Sequence, residues 1–237
     1  MLDAVISSLS VGEVNLFRQL YPNLCAGDVA LGDRIFGTFA DICLLFARGV
    51  DSTFRVHGAR KTDFTKGKRL ARWDHIVKWV KPKQCPRGLC AKLFDQLPER
   101  ILLREVRFHI PIKGFRTEDV TLVTTLLDSK VYTRIDLAEL YRLRWHAEID
   151  LKHLKTTMQM EHLPSKTPAM VRKDFYVHLL AYNLIRTVQL EASRQHQVDS
   201  LALSFCATIQ HLSNFTCLLA HATDEQRDIS YAEGKEI

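Results

Sequence analysis

Residues 120–127 read Val-Thr-Leu-Val-Thr-Thr-Leu-Leu, a β-branched apolar run of strand length with no alternation, as expected of a strand buried on both faces. A second signal lies near the start of the chain. Residues 27–34, Gly-Asp-Val-Ala-Leu-Gly-Asp-Arg, form a brief apolar run bounded by glycines, and Asp33 falls at its C-terminal end. A helical pattern from Phe39 to Arg48 follows, stopping at Gly49, and Val50 to Val56 reads as another strand. Strand, helix, strand is the unit that builds a parallel or mixed sheet, so the expected class is α/β.

The rest of the chain divides by texture. Residues 12–22 place Val14, Leu16, Phe17 and Leu20 at helical spacing before Pro22, and with the first strand pair they make a core segment over 1–54. From 55 to 117 short β-like pieces, 76–80 and 105–110, are punctuated by Pro82, Pro86, Gly88 and Pro98, which reads as a β-rich insertion. Core texture returns over 118–222. There Asp136 is expected to cap a helix from Leu137 to about His162, Thr167-Pro168 to open another through about Arg194, and a last helix to run from about Leu201 to Ala220. The acidic stretch 223–237 reads as a flexible tail.

Charge narrows the partners. Thirty-three Lys and Arg against 27 Asp and Glu leave a net charge of +6, with the basic residues dense between Arg55 and Arg72, which suits a polyanion. The six cysteines mostly sit in apolar runs and read as buried thiols of a reducing compartment. Cys85 and Cys90 are close, but their spacing and the lack of a second pair argue against zinc. The first residues carry no basic leader, and no stretch reaches about 18 uninterrupted apolar residues, so a cytoplasmic protein with no membrane partner is expected.

The helix after Asp136 carries the chemistry. At about 100° per residue, Tyr141, Arg144, Glu148 and Lys155 fall within roughly 60° of one another, beside a separate stripe of Leu140, Leu143, Ala147, Leu151 and Leu154. One reading is a solvated face with Arg144 and Glu148 as an i,i+4 ion pair. The other is a line of phenol, guanidinium, carboxylate and ammonium facing a phosphodiester. Trp145 reads as packing rather than as a base-stacking platform.

The pattern Tyr-x2-Arg-x3-Glu-x6-Lys at 141–155 resembles the signature around the last catalytic carboxylate of one branch of the DDE transposases of bacterial insertion sequences. Residues 32–37, Gly-Asp-Arg-x-Phe-Gly, resemble the segment with that family's second carboxylate. Thr-Thr-Leu-Leu-Asp at 124–128, Lys-Thr-Pro-Ala-Met-Val-Arg-Lys-Asp at 166–174 and Leu-Leu-Ala-Tyr-Asn-Leu-Ile-Arg at 179–186 extend the likeness, so it runs continuously from Asp28 to about Ala192. The resemblance implies a ribonuclease-H-like mixed sheet carrying the β-rich insertion and C-terminal helices. It implies phosphodiester cleavage and strand transfer at insertion-sequence ends, with Asp33 and Glu148 as catalytic metal ligands and Tyr141, Arg144 and Lys155 on DNA. It also implies Mg²⁺, in a two-metal site whose ions stand about 3.5 to 4 Å apart. The partners implied are the terminal inverted repeats, target DNA and a second copy of the chain as a homodimer.

In that family the first carboxylate lies on an opening strand well before the second. Only 32 residues precede Asp33 here, and Asp3 has no strand-end context. The expectation is therefore an incomplete copy, inactive as this chain alone. The alternative is a non-catalytic DNA-binding or regulatory transposase fragment, and a ribonuclease-H-like nuclease of another role is the third reading.

Overall fold

The computed structural model describes residues 3–109 and 119–221. They fall into two compact units, one reaching Ala147 and one beginning at Glu148. The first holds helix α1 (Glu13–Leu20), strand β1 (Val29–Gly32), helix α2 (Phe39–Phe46), strands β2 (Asp51–Arg55), β3 (Lys68–Ala71) and β4 (Asp74–Val80), helix α3 (Ala91–Asp95), and strands β5 (Arg100–His109) and β6 (Asp119–Thr124). Helix α4 (Arg134–Lys152) starts in this unit. A π-helical turn (His153–Thr157), helix α5 (Pro168–His196) and helix α6 (Phe205–His221) belong to the second.

The six strands form one mixed sheet in the order β1-β2-β6-β5-β4-β3, with β1 and β2 parallel and every other neighbour antiparallel. With the C-terminal helices it is consistent with the ribonuclease-H-like fold that the resemblance implies. Strands β3, β4 and β5, from the segment read as β-rich, continue this sheet rather than forming another.

Strand alternation sorts the apolar side chains into two layers. On one face Ala30, Phe54, Val123, Leu103 and Trp79 pack with Phe39, Ile42 and Leu45 of α2 and with Phe94 of α3. On the other, Val106, Phe108, Val120 and Leu122 pack with Leu137 and Tyr141 of α4. Adjacent residues Leu122 and Val123 are each fully buried in opposite layers, as the run at 120–127 requires. Burial of these side chains drives the packing, at roughly 25 cal/mol per Å² of apolar surface removed from water.

Helix α2 shows how local chemistry sets the boundaries. Thr38 caps its N-terminus by accepting from the Asp41 amide at 3.2 Å. Gly49, with φ at 75°, takes the left-handed position after its last turn. Asp41 is fully buried and is satisfied by Arg18 at 2.7 and 3.1 Å and by the Tyr21 hydroxyl at 2.9 Å, which ties α1 to α2.

Several expectations need correction. Thr133, not Asp136, caps α4. Asp136 sits three residues on, accepting from the Thr133 amide and hydroxyl at 2.8 Å each, while its own amide donates back to the hydroxyl at 3.3 Å. The α-helix ends at Lys152 rather than near His162, because the π-helical turn takes over and buries Leu154. The apolar stripe is displaced as well: Leu143 and Leu151 are 49% and 46% exposed, whereas Leu137 and Tyr141 face the core. Of the six cysteines only Cys43 is buried. Ile110 and the tail 223–237 lie outside the described residues. No helix among the described residues is long and apolar enough to cross a membrane.

Candidate active site

Asp33 directly follows β1, where the parallel strands β1 and β2 end together. The register that pairs Gly32 with Phe54 brings Arg55 alongside Asp33 at this edge. The C-terminal ends of parallel strands are where open α/β sheets gather binding groups, because backbone amides and loop side chains converge there. One oxygen of Asp33 accepts from the Arg34 amide at 2.7 Å.

Helix α4 lays its first three turns over the same end. Leu137, Ala138, Leu140 and Tyr141 pack on Leu31, Val106, Leu122 and Leu126, which fixes the helix's rotation. Tyr141 is thereby buried, 5% exposed, and the Arg144 guanidinium lies 5.3 Å from the centre of its ring. Burial holds the Tyr141 phenol above its ordinary pKa, the Arg144 charge opposes that, the Asp33 carboxylate adds to it, and Arg55 opposes it. Two carriers of the family-like signature thus share one electrostatic environment with the strand-end carboxylate. Arg55 also belongs to it. Sequence reading counted Arg55 only as part of the basic run, and the signal that singles it out is its matching position at the end of the neighbouring parallel strand.

Glu148 follows Arg144 by four residues on α4, is exposed, and begins the second unit. Lys155 lies in the π-helical turn, marked by the Met158 amide donating to the His153 carbonyl at 2.9 Å. A π turn uses more residues than an α turn, so the angular alignment of Lys155 with Tyr141, Arg144 and Glu148 that a regular α-helix implies does not carry through. Within the second unit Arg186 of α5 donates to Asp150, Tyr182 and Gln189, and its guanidinium lies 5.1 Å from the centre of the Phe205 ring. The segment Tyr-Asn-Leu-Ile-Arg at 182–186 therefore braces the turn between Glu148 and Lys155.

The carboxylates of Asp33 and Glu148 are hard oxygen donors that suit Mg²⁺, which takes one or two protein carboxylates and completes its shell with water and substrate phosphate. Among the described residues no group of three or more His, Cys, Asp or Glu side chains is placed to hold a metal ion.

Comparison with known proteins shows the family. The profile of the transposase DDE domain matches residues 1–184. The transposase InsG for insertion sequence element IS4 of Escherichia coli strain K12 is 30% identical over 185 residues, which are 77% of this chain and 40% of that protein. The transposase for insertion sequence element IS421 of Escherichia coli is 34% identical over 64 residues, 27% of this chain and 17% of its own length. The putative transposase InsL for insertion sequence element IS186A of Escherichia coli strain K12 is likewise 34% identical over 64 residues. The chain thus spans well under two thirds of the length of these relatives.

Proposed function

We propose, because the chain belongs to the transposase DDE domain family, that it supplies the second and third carboxylates of a DNA transposase that cuts and joins DNA at insertion-sequence ends. The observation that carries this reading is the convergence of Asp33, Arg55, Tyr141 and Arg144 at one end of the sheet.

In this reading Asp33 and Glu148 bind Mg²⁺. Mg²⁺ held there would supply Lewis-acid chemistry to the phosphodiester. Arg144 and Lys155 hold DNA phosphates, the guanidinium as a two-pronged donor and the ammonium as a point charge. Tyr141, being buried, supports Arg144 from beneath instead of reaching DNA itself. Arg55, at the end of the neighbouring parallel strand, offers a further cation to a phosphate. The ligands of the reaction are the terminal inverted repeats and target DNA, and a homodimer would present two such sites to paired ends.

Fluorescence anisotropy with DNA carrying the inverted repeats of the native locus tests the proposal. Affinity should fall steeply with salt, and Arg144→Ala and Lys155→Ala should each lower the slope of log K against log salt by about one. With Mg²⁺ and whatever coding sequence precedes this chain at its locus, cleavage should depend on Asp33 and Glu148. Binding without cleavage in that complete protein would favour the non-catalytic, regulatory alternative. Failure to bind DNA would overturn both.

A further inference from the structure

Residues two apart on an α-helix point to opposite sides of it, so Asp150 faces away from the side of α4 that presents Glu148. That opposite side is gripped. Arg186 of α5 donates through Nη2 to the Asp150 carboxylate, through Nε to the Tyr182 hydroxyl at 3.0 Å and through Nη1 to the side-chain oxygen of Gln189 at 2.8 Å. Its guanidinium carbon also stands 5.1 Å from the centre of the Phe205 ring.

The partners of Arg186 are themselves fixed. Gln189 is fully buried and donates through Nε2 to the Leu203 carbonyl at 3.2 Å and to the Thr208 hydroxyl at 3.1 Å, which ties α5 to α6. Tyr182 and Phe205 are buried, and Phe205 stacks on His153, three residues beyond Asp150. A purely apolar contact at this place would tolerate slippage of the helix. A planar guanidinium committed to Asp150, Tyr182, Gln189 and Phe205 does not, because its donors leave it in fixed directions and each already has its acceptor.

We propose that Arg186 is a positioning residue for the metal-binding carboxylate of Glu148: by holding Asp150 it fixes the rotation of the helical turn that presents Glu148. The proposal rests on the reading of Glu148 as a metal ligand, and adds that the ligand's placement is set from α5 and α6, which carry neither Asp33 nor Glu148. Mg²⁺ demands near-ideal ligand geometry, so a carboxylate free to swing with its helix binds it poorly.

Mn²⁺ binding to the full chain in the presence of inverted-repeat DNA, followed by electron paramagnetic resonance, tests the role. Arg186→Lys keeps the positive charge and removes no metal donor, yet it loses the fork, and it should weaken Mn²⁺ binding about tenfold. Asp150→Asn, at a side chain that is 31% exposed, keeps the shape of the residue and should do the same. Neither should weaken binding further when added to Glu148→Gln, because the ligand they position is then gone, whereas a brace that merely stabilises the helices would act in both backgrounds. Wild-type affinity in Arg186→Lys and Asp150→Asn, or an equal further loss in the Glu148→Gln background, would overturn the positioning role. Unchanged Mn²⁺ affinity in Glu148→Gln itself would instead overturn the metal-site reading on which the role rests.

Discussion

Arg104 donates through Nε and Nη2 to the two carboxylate oxygens of Asp74 at 2.8 and 2.6 Å, and both side chains are buried in the middle of the sheet. The remaining nitrogen donates to the Tyr132 carbonyl at 2.6 Å, so the pair also anchors the loop that leads into α4. Removing one partner would strand a charge in the interior. Asp74→Ala should therefore destabilise the protein by about 3 to 5 kcal/mol in urea denaturation, whereas replacing both partners, Asp74→Leu with Arg104→Met, should recover most of that loss. Equal losses in the single and double variants would show that the pair does not act as a unit.

The burial of Tyr141 against the sheet lets its variants separate support from contact. Tyr141→Phe keeps the ring and should change stability by no more than about 1.5 kcal/mol, leaving the salt dependence of DNA binding unchanged. Tyr141→Ala opens a cavity against Leu122 and Leu137 and should cost about 3 to 5 kcal/mol. A shallower salt slope in Tyr141→Phe, of the size expected for Arg144→Ala, would place the phenol on DNA directly.

Much of this arrangement is legible in the sequence. The doubly buried strand, which forms over Asp119–Thr124 and so ends short of the expected 127, the strand that stops just before Asp33 and the Thr167-Pro168 helix start are all short-range patterns. The rest depends on tertiary packing. Which side of α4 turns inward is decided by how Leu137 and Tyr141 fit the sheet, and a helical wheel, which draws Leu143 and Leu151 as the apolar stripe, has no access to that. The π-helical turn is invisible to a fixed 100° step, since it answers to the burial of Leu154 and the stacking of His153 on Phe205. Arg55 joins Asp33 only through strand register, which no local pattern records.

The stacked pair His153 and Phe205, with ring centres 4.4 Å apart, makes the C-terminal helical unit sensitive to acid. Burial lowers the His153 pKa from its ordinary 6.5, with Arg186 and Lys152 adding to the effect and Asp150 opposing it. The folded state therefore favours the neutral ring. Its contribution is complete above pH 6.5 and declines as pH falls from there towards the lower folded value, because the unfolded chain takes up the proton first. Thermal unfolding followed by circular dichroism at pH 7.5 and 5.5 should show a smaller acid-induced loss in His153→Gln than in the wild-type chain. An unchanged loss would remove His153 from the account.

Thiol chemistry reports on the sheet's core. Burial pushes the Cys43 thiol up to about 11, whereas Cys25, Cys85, Cys90, Cys206 and Cys217 are exposed. Iodoacetamide at pH 8 should label those five and spare Cys43 until the protein is unfolded, as read by peptide mass spectrometry. Early labelling of Cys43 would mean that α2 does not cover the sheet as described.

Asp33 and Glu148 as the metal-binding carboxylates form the centre of the account, and Mn²⁺ binding followed by electron paramagnetic resonance in the presence of inverted-repeat DNA addresses them directly. Asp33→Asn and Glu148→Gln should each weaken Mn²⁺ binding about tenfold or more, while Glu139→Gln, an exposed carboxylate on the same helix as Glu148, should leave it unchanged. Wild-type Mn²⁺ affinity in Asp33→Asn and Glu148→Gln, or an equal loss in Glu139→Gln, would contradict the assignment.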